Sequence, residues 1–355
     1  MENNYNFGLY HFHIEISAKC TLQCPRCPRN KVENIGWKND EWSYDEFVQA
    51  FTPEVITEHV QRFTFCGDIG DPIYCKDLLE IVEFIKQTKP TCHIYIITNG
   101  SYKKEQWWEK LASLLNEYDT INFSVDGYNQ ESNNLYRVNS DWDSIMMGMK
   151  IMCNQSEAFV NWAGIYFKFN QDYREKMQSL ARENGCDGFQ WTKSSKFGDS
   201  TDDLKPADNL VASSKRYERE VINFTNRKPP IDDYMEINER RFNEIEPVGD
   251  ILPLCRIGNR GVYLSADGTL HPCSWVSAPF GSLKDERKKI KYEDSFFAKY
   301  RQHLNVKEEG LEEMVNHFAW DILTESWNKD PWVECYTKCH KRLQNYENVV
   351  QYETN

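Results

Sequence analysis

The chain has 355 residues, of which 40% are hydrophobic, and this is enough to bury one large core or two smaller ones. Its formal net charge of −13 argues against a protein that binds nucleic acid through the phosphate backbone, because that mode requires a basic surface. No run of about 18 apolar residues is present, and the polar start lacks the layout of a signal peptide. We therefore expect a cytoplasmic protein whose twelve cysteines serve as metal ligands and reduced thiols.

Short β-rich runs alternate with longer amphipathic stretches from residue 11 to residue 193. This alternation is typical of βα units around a parallel sheet. The predicted strands are His11–Ser17, Gln61–Cys66, His93–Thr98, Thr120–Val125, Phe159–Lys168 and Gly188–Lys193. The predicted helices are Tyr44–His59, with Ser43 as its N-cap, Lys76–Thr88, Lys103–Glu117, Trp142–Cys153 and Tyr173–Asn184.

The remainder of the chain changes character at residue 194. Residues 194–250 are polar and mix acids with bases, which predicts a linker or insertion carrying one or two helices. A second compact unit is predicted to begin near residue 251, where GVYLSADGTLHP has the pattern of a β-hairpin with a turn at Asp267 and Gly268. We therefore divide the chain into residues 1–193, 194–250 and 251–355.

Three cysteines lie close together in the segment CTLQCPRC, at Cys20, Cys24 and Cys27. Their spacing lets one short loop aim three thiolates at a single iron–sulfur cluster. Because a [4Fe–4S] cluster normally takes four thiolates, three ligands leave one iron open to a group that is not protein. A zinc site is the alternative, although zinc usually takes four ligands from paired short spacings.

This spacing, its position after the first predicted strand and several later motifs resemble the radical S-adenosylmethionine (SAM) superfamily. The resemblance covers most of the chain and implies an α/β fold with a partial (β/α)6 TIM-type barrel. It also implies that SAM binds the open iron of the cluster held by Cys20, Cys24 and Cys27. Members of the family reductively cleave SAM to a 5′-deoxyadenosyl radical, which removes a hydrogen atom from an unactivated carbon.

Two of the segments that resemble SAM-binding motifs depart from the family pattern. Arg26 stands before the third cysteine, where the family usually has an aromatic residue, and its planar guanidinium can stack on a purine. The segment FTFCGDIGDP resembles the family's GGEP element, which receives the SAM ammonium. Gly70 and Asp71 fall on the matching positions, and Asp71 is one methylene shorter than the usual glutamate.

Two further segments, ITNG and FSVDG, end the third and fourth predicted strands. Barrels of this kind place their active sites at the carboxyl ends of their strands. Asn-Gly and Asp-Gly are also common turn formers, so each motif by itself is consistent with a turn. The full set of SAM contacts implied by the resemblance is Arg26, Gly70, Asp71, Thr98, Asn99, Ser124 and Asp126.

A second cysteine group consists of Cys255, Cys273, Cys335 and Cys339. Its spacing resembles the twitch and SPASM extensions of radical SAM enzymes, which hold auxiliary iron–sulfur clusters. The resemblance implies a second [4Fe–4S] cluster in a small C-terminal α+β domain. A structural zinc site on the same four thiolates is the alternative.

The resemblance implies a radical SAM oxidoreductase or maturase. Relatives with such extensions modify peptides and proteins or oxidise small alcohols and sugars, and we favour peptide or protein modification. The alternatives are a small-molecule dehydrogenase, a nucleotide-cyclising enzyme resembling the molybdopterin-precursor synthases, and a non-catalytic iron–sulfur or zinc-binding protein. The expected partners are a peptide or small-molecule substrate and a reducing donor such as flavodoxin or ferredoxin. No catalytic base or hydrogen donor is assigned.

Overall fold

The computed structural model describes residues 11–31, 39–194, 197–198, 201–212, 218–227, 248–251, 262–274, 303–315 and 317–329, together with residues 331, 335 and 339. Cys255 and the other remaining residues lie outside this part of the chain. The chain divides into two compact units. The first unit comprises Met1–Lys19, Asn34–Cys92 and Ile231–Tyr346, and the second comprises Cys20–Glu33, His93–Pro230 and Glu347–Asn355.

The described strands are β1 (His11–Ile14), β2 (Arg62–Phe65), β3 (His93–Thr98), β4 (Thr120–Ser124), β5 (Phe159–Ile165), β6 (Gly188–Lys193), β7 (Glu218–Asn223), β8 (Val262–Leu264) and β9 (Leu270–His271). The described α-helices are α1 (Tyr44–Ala50), α2 (Pro53–Glu58), α3 (Leu78–Thr88), α4 (Glu105–Leu114), α5 (Gln130–Asn134), α6 (Trp142–Gln155), α7 (Arg174–Glu183), α8 (Val306–Glu309), α9 (Leu311–Val315) and α10 (Ala319–Lys329).

In the first unit, β1 pairs in parallel with both β2 and β8, and β9 runs antiparallel to β8. The predicted hairpin is confirmed, and Gly268 in its turn has φ of +90°, a conformation that glycine adopts without strain. Ser43 caps α1 in a capping box with Glu46, as the sequence indicates. The single helix predicted for Tyr44–His59 is wrong, because Thr52 caps a new helix that begins at Pro53.

In the second unit, β3, β4, β5 and β6 pair in parallel in chain order, and β7 adds an antiparallel edge strand to β6. Helices α4 and α6 pack closely because Gly148 leaves room for the Trp108 indole: a Cβ at Gly148 would lie 2.4 Å from that ring. Trp108 in turn packs against Phe123 of β4, with ring centroids 5.4 Å apart. One face of these strands is therefore covered by the helices, and the alternate side chains lie on the other face.

Strand β7 lies in the segment where the sequence predicts a polar linker with one or two helices. Its sequence EREVIN is mostly polar, as is common for a strand at the edge of a sheet. Ile222 is buried. Propensity is a weak signal for such a strand, because pairing with β6 supplies its stability. None of the helices in the described part of the chain is both long and apolar enough to traverse a lipid bilayer.

Candidate functional site

The cysteine loop, residues 20–27, belongs to the second unit and is held by backbone hydrogen bonds. The Cys27 amide donates to the Cys24 carbonyl at 3.0 Å and closes a tight turn between the last two cysteines. Asn139 Nδ2 donates to the Thr21 carbonyl at 2.9 Å. The conformation of the loop therefore depends in part on Asn139, which is separated from Thr21 by 118 positions in the sequence.

The three thiols differ in burial. Cys24 is 8% exposed, whereas Cys20 and Cys27 are half-buried at the edge of the same apolar cluster. The other buried members of that cluster are Leu22, Tyr136 and Phe167. Burial raises the pKa of the Cys24 thiol, and the nearby Arg137 guanidinium opposes this rise by favouring the thiolate. An apolar wall with one cation beside it suits thiolates that are neutralised by bound metal.

The donor set around the loop fits an iron–sulfur cluster. Asn99 Nδ2 donates to Cys20 Sγ at 3.8 Å, and hydrogen bonds to cluster sulfurs are one way in which proteins tune reduction potential. In the described part of the chain, no three His, Cys, Asp or Glu side chains converge on a single metal ion. In a four-iron cluster each thiolate ligates its own iron, so convergence on one point is not required.

Arg26, one of the predicted SAM contacts, forms a salt bridge within the chain. Its Nη2 donates to Asp202 Oδ2 in a salt bridge, and the carboxylate is 5% exposed. Asp202 also accepts from the amides of Gly198 and Leu204, at 2.6 and 3.1 Å. The hydrogen bond from Gly198, with that from Leu204 and the contact with Arg26, holds the pKa of Asp202 below its ordinary value. Arg26 therefore links the cysteine loop to the segment after β6, and its contact with SAM stays a prediction.

Thr98 and Asn99, at the end of β3, shape a turn. Thr98 Oγ1 accepts from the Gly100 amide at 3.0 Å, and Asn99 Oδ1 accepts from the Ser101 amide at 2.9 Å. Gly100 has φ of +74°, which glycine adopts readily. The turn directs the Asn99 amide group to Cys20, so the structure brings one predicted SAM residue to a predicted cluster ligand.

At the end of β4, Ser124 is half-buried and Asp126 is fully buried. Asp126 Oδ2 accepts from Arg137 Nε at 2.6 Å, and Oδ1 accepts from the Ile165 amide at 2.8 Å. Both carboxylate oxygens of Asp126 therefore have partners within the chain. The structure gives this side chain a positioning role, and a direct contact with SAM stays a prediction.

In the first unit, Gly70 and Asp71 lie in the loop between β2 and a short 3₁₀ helix, Pro72–Tyr74. A Cβ at Gly70 would lie 1.9 Å from the Ser17 carbonyl oxygen, so the backbones approach too closely for any other residue. Asp71 Oδ1 accepts from the Ile73 amide at 3.2 Å and caps the 3₁₀ helix. The Asp71 amide donates to the Lys19 carbonyl at 3.0 Å.

The Radical SAM superfamily model matches residues 14–180 of this sequence. The match assigns residues 14–180, just under half of the 355 residues, to a radical SAM domain. GTP 3′,8-cyclase from Campylobacter curvus is 24% identical to it over 292 residues, covering 80% of this chain and 85% of the relative. A probable GTP 3′,8-cyclase from Methanococcus maripaludis is 28% identical over 156 residues, covering 42% and 47%.

The crystal structure of Streptococcus suis SuiB bound to SAM is similar in fold, with a TM-score of 0.53 at 15% identity. The match covers 91% of this chain and 66% of SuiB, so the chain spans about two thirds of that structure. These matches confirm the predicted α/β class with a partial TIM-type barrel. The radical SAM domain also implies SAM and one [4Fe–4S] cluster as cofactors.

The second cysteine group lies beyond the radical SAM domain and is described in part. Cys273, Cys335 and Cys339 are half-buried, and Cys255 is outside the described residues. The eleven cysteines that the structure describes form no disulfide with one another. An auxiliary cluster on this group stays a prediction.

Three residues within or beside the radical SAM domain carry contacts that sequence reasoning missed. Arg137 holds Asp126, Asp202 holds Arg26, and Glu15 accepts from the amides of the loop that contains Gly70. Glu15 comes directly after the strand sequence HFHI. A charged residue between two isoleucines was the signal in the sequence that could have identified it. Burial and the nearby Asp68 carboxylate raise the pKa of Glu15 to about 7.

Proposed function

We propose that this radical SAM enzyme reductively cleaves SAM and abstracts a hydrogen atom from a peptide or protein substrate. When bound, SAM and a reduced [4Fe–4S] cluster supply a 5′-deoxyadenosyl radical. Cys20, Cys24 and Cys27 would hold that cluster, and the amide of Asn99 would donate a hydrogen bond to the Cys20 sulfur. The apolar cluster around Cys24 would keep water away from the thiolates.

The proposed SAM contacts are those that the family resemblance implies: Arg26, Gly70, Asp71, Thr98, Asn99, Ser124 and Asp126. Their local geometry supports two kinds of role. Gly70 would contact SAM directly, because it lies on a loop that its own close packing holds in place. Asp126 would support the site through its hydrogen bonds to Arg137 and Ile165.

One observation supports a peptide as the substrate: on β3, β4, β5 and β6, the sheet face opposite the helices carries neither Lys nor Arg and is rich in hydrogen-bonding groups. Asn122 of β4 pairs with Asn161 of β5, so their side chains share that face. Asn161 is 5% exposed, and its Oδ1 is buried without a hydrogen-bond partner in the described part of the chain. A buried acceptor of this kind needs a partner, such as an ordered water molecule.

The remaining polar positions of this face on β3, β4, β5 and β6 include one imidazole side chain, His93. The polar side chains that share it by strand alternation are His93, Tyr95, Thr120, Ser124, Gln190 and Thr192. At the sheet edge, Arg219 of β7 pairs with Thr192 and lies on the same face. On β3, β4, β5 and β6 this face carries neither Lys nor Arg. A nucleoside triphosphate requires cationic side chains, whereas a peptide backbone requires neutral donors and acceptors. SuiB, with 15% identity and a TM-score of 0.50, has been crystallised bound to its precursor peptide SuiA.

A nucleotide-cyclising activity is the second candidate, because a GTP 3′,8-cyclase is 24% identical over 80% of this chain. The two candidates predict different substrates for one radical. Incubating the reconstituted enzyme and SAM with GTP, and separately with candidate precursor peptides, would separate them by mass spectrometry. Consumption of GTP with no change in any peptide would favour the cyclase.

We also propose that Cys255, Cys273, Cys335 and Cys339 hold an auxiliary [4Fe–4S] cluster, with zinc as the competing metal. A reduced flavodoxin or ferredoxin would donate electrons to the enzyme. A small-molecule dehydrogenase remains an alternative for the same cofactor set. A protein that binds metal without catalysis is the alternative from another class.

The first experiment needs no substrate. Protein reconstituted anaerobically with iron and sulfide is incubated with SAM and dithionite, and 5′-deoxyadenosine is quantified. We expect product from the wild type and from Cys153→Ala, a control cysteine outside both groups, and none from Cys24→Ala. Absence of product from a fully iron-loaded wild type, or binding of zinc in place of iron, would contradict the proposal.

A further inference from the structure

Glu15 is a buried carboxylate at the end of β1, with 2% of its surface exposed. Its Oε1 accepts two backbone hydrogen bonds, from the Ile69 amide at 2.7 Å and the Gly70 amide at 2.9 Å. Its Oε2 accepts from the Tyr263 hydroxyl at 3.2 Å. The carboxylate thus connects β1 to β8 on one side and to the loop after β2 on the other.

The loop after β2 is built around this carboxylate. A Cβ at Gly67 would lie 2.4 Å from Glu15 Oε1, so the glycine leaves the space that the carboxylate occupies. The Cys66 carbonyl is bound by His13 Nε2 at 2.9 Å, which anchors the start of the loop to β1. Two successive amides pointing at one oxygen define the backbone orientation of Ile69 and Gly70.

We propose that Glu15 is a positioning residue for SAM binding, acting through the loop of residues 66–71 rather than by contact with SAM. By holding the amides of Ile69 and Gly70, it sets the direction of the Gly70 backbone and the place of Asp71. This inference rests on the proposed role of Gly70 and Asp71 as SAM contacts. It adds a residue that none of the sequence motifs singles out.

A purely structural role is the competing explanation, because Glu15 also holds Tyr263. Asp119 offers a matched control: it is 0% exposed, and it accepts from the amides of Ile94 and Asn116, each at 2.8 Å. It lies at the amino end of β4, away from the predicted SAM residues of that strand, which are at its carboxyl end. Loss of either carboxylate leaves one amide of a buried residue and one of a half-buried residue without an acceptor, so both variants carry a similar stability defect.

The test measures SAM affinity of the anaerobically reconstituted holoenzyme by equilibrium dialysis, with iron content determined for each sample. Glu15→Ala is expected to raise the SAM dissociation constant about tenfold or more at unchanged iron content, a loss of about 1.4 kcal/mol. Glu15→Gln keeps an acceptor oxygen for the two amides and is expected to stay within about threefold of the wild type. Asp119→Ala is expected to bind SAM as the wild type does.

If Glu15→Ala is insoluble, Gly67→Ala takes its place, because its Cβ displaces the carboxylate while leaving Glu15 present. Wild-type affinity in Glu15→Ala, or in Gly67→Ala when that variant is used, overturns the inference. An equal loss of affinity in Asp119→Ala also overturns it. Failure of the wild type itself to bind SAM contradicts the proposed function and is seen before any variant is compared.

Discussion

Arg137 Nε lies 2.6 Å from Asp126 Oδ2, and the carboxylate of this pair is fully buried. The Arg137 side chain is 18% exposed, so its charge has little access to water without its partner. The same carboxylate accepts from the Ile165 amide on β5. The pair therefore ties the ends of two neighbouring strands to the segment that borders the cysteine loop.

Asp126→Ala is expected to lower the free energy of unfolding by about 3–5 kcal/mol, because it leaves a buried guanidinium without its counter-charge. Urea denaturation measures this loss. The control is Arg174→Ala, which removes a half-exposed ion pair with Glu220 at 3.0 Å and is expected to change stability by about 1 kcal/mol or less. Equal stability of the two variants would contradict the prediction.

Gly70→Ala is expected to abolish SAM binding or to give insoluble protein, because its Cβ would meet the Ser17 carbonyl oxygen at 1.9 Å. A backbone atom cannot move aside as a flexible side chain can. The control is Gly164→Ala, whose Cβ would lie 3.1 Å from the Val125 carbonyl oxygen, so it requires a shift of only a few tenths of an ångström and is expected to be far better tolerated. Soluble yield and SAM affinity are measured for both, and wild-type affinity in Gly70→Ala would show that the close approach does not matter.

Arg26→Ala is expected to release iron from the reconstituted enzyme severalfold faster than the wild type in the presence of a chelator. The reason is that the Arg26 salt bridge to Asp202 fastens the cysteine loop to the segment after β6. Asp202→Asn should show the same effect. The control is Lys205→Ala, since Asp208 in that ion pair is 91% exposed. A change in SAM affinity at an unchanged rate of iron release would instead support direct contact between Arg26 and SAM.

The pH dependence of stability should contain a contribution from Glu15, whose pKa is about 7 in the folded chain against an ordinary value of 4.5. Because the folded state favours the protonated form, this contribution is complete below pH 4.5 and is lost as pH rises through 7. The shift corresponds to roughly 3 kcal/mol at most. The titratable groups near Glu15 are Asp68, Tyr263 and His13. Burial lowers the pKa of His13 to about 4, so the contribution of His13 to stability falls on acidification, opposite to that of Glu15.

Glu15→Gln isolates this contribution, since it leaves His13 in place. Relative to Glu15→Gln, the wild type is expected to become less stable as the pH rises from 5 to 8. Urea denaturation at several pH values measures it. A difference that stays constant across this range would show that the Glu15 carboxyl does not titrate there.

Cys273→Ala is expected to reduce the iron content from about eight to about four per chain, if the second cysteine group holds a cluster. Iron analysis after anaerobic reconstitution measures this directly. Cys153→Ala again serves as the control and should keep the wild-type content. Zinc in the wild type with about four irons would instead assign a zinc site to that group.

Sequence periodicity located six strands of the sheet, and the bounds of His93–Thr98 and Gly188–Lys193 agree with the structure. Periodicity did not show that α1 ends at Ala50 and that Thr52 caps the next helix, because both helices bury residues of similar apolar character. It also missed β7, whose polar sequence becomes a strand through its pairing with β6. Local sequence patterns thus predicted the elements whose own residues alternate in polarity. They missed an element that is stabilised by pairing with a neighbouring strand.

The sequence by itself determined the chemistry that one short segment can supply: three cysteines at a spacing suited to one cluster, followed by glycine and carboxylate motifs at strand ends. Tertiary structure decided which side chains hold those motifs in place. Arg26 meets Asp202 across 176 positions, and Glu15 meets Tyr263 across 248. Such contacts have no local pattern, because they form when the chain folds and buries charged and polar groups that then require partners.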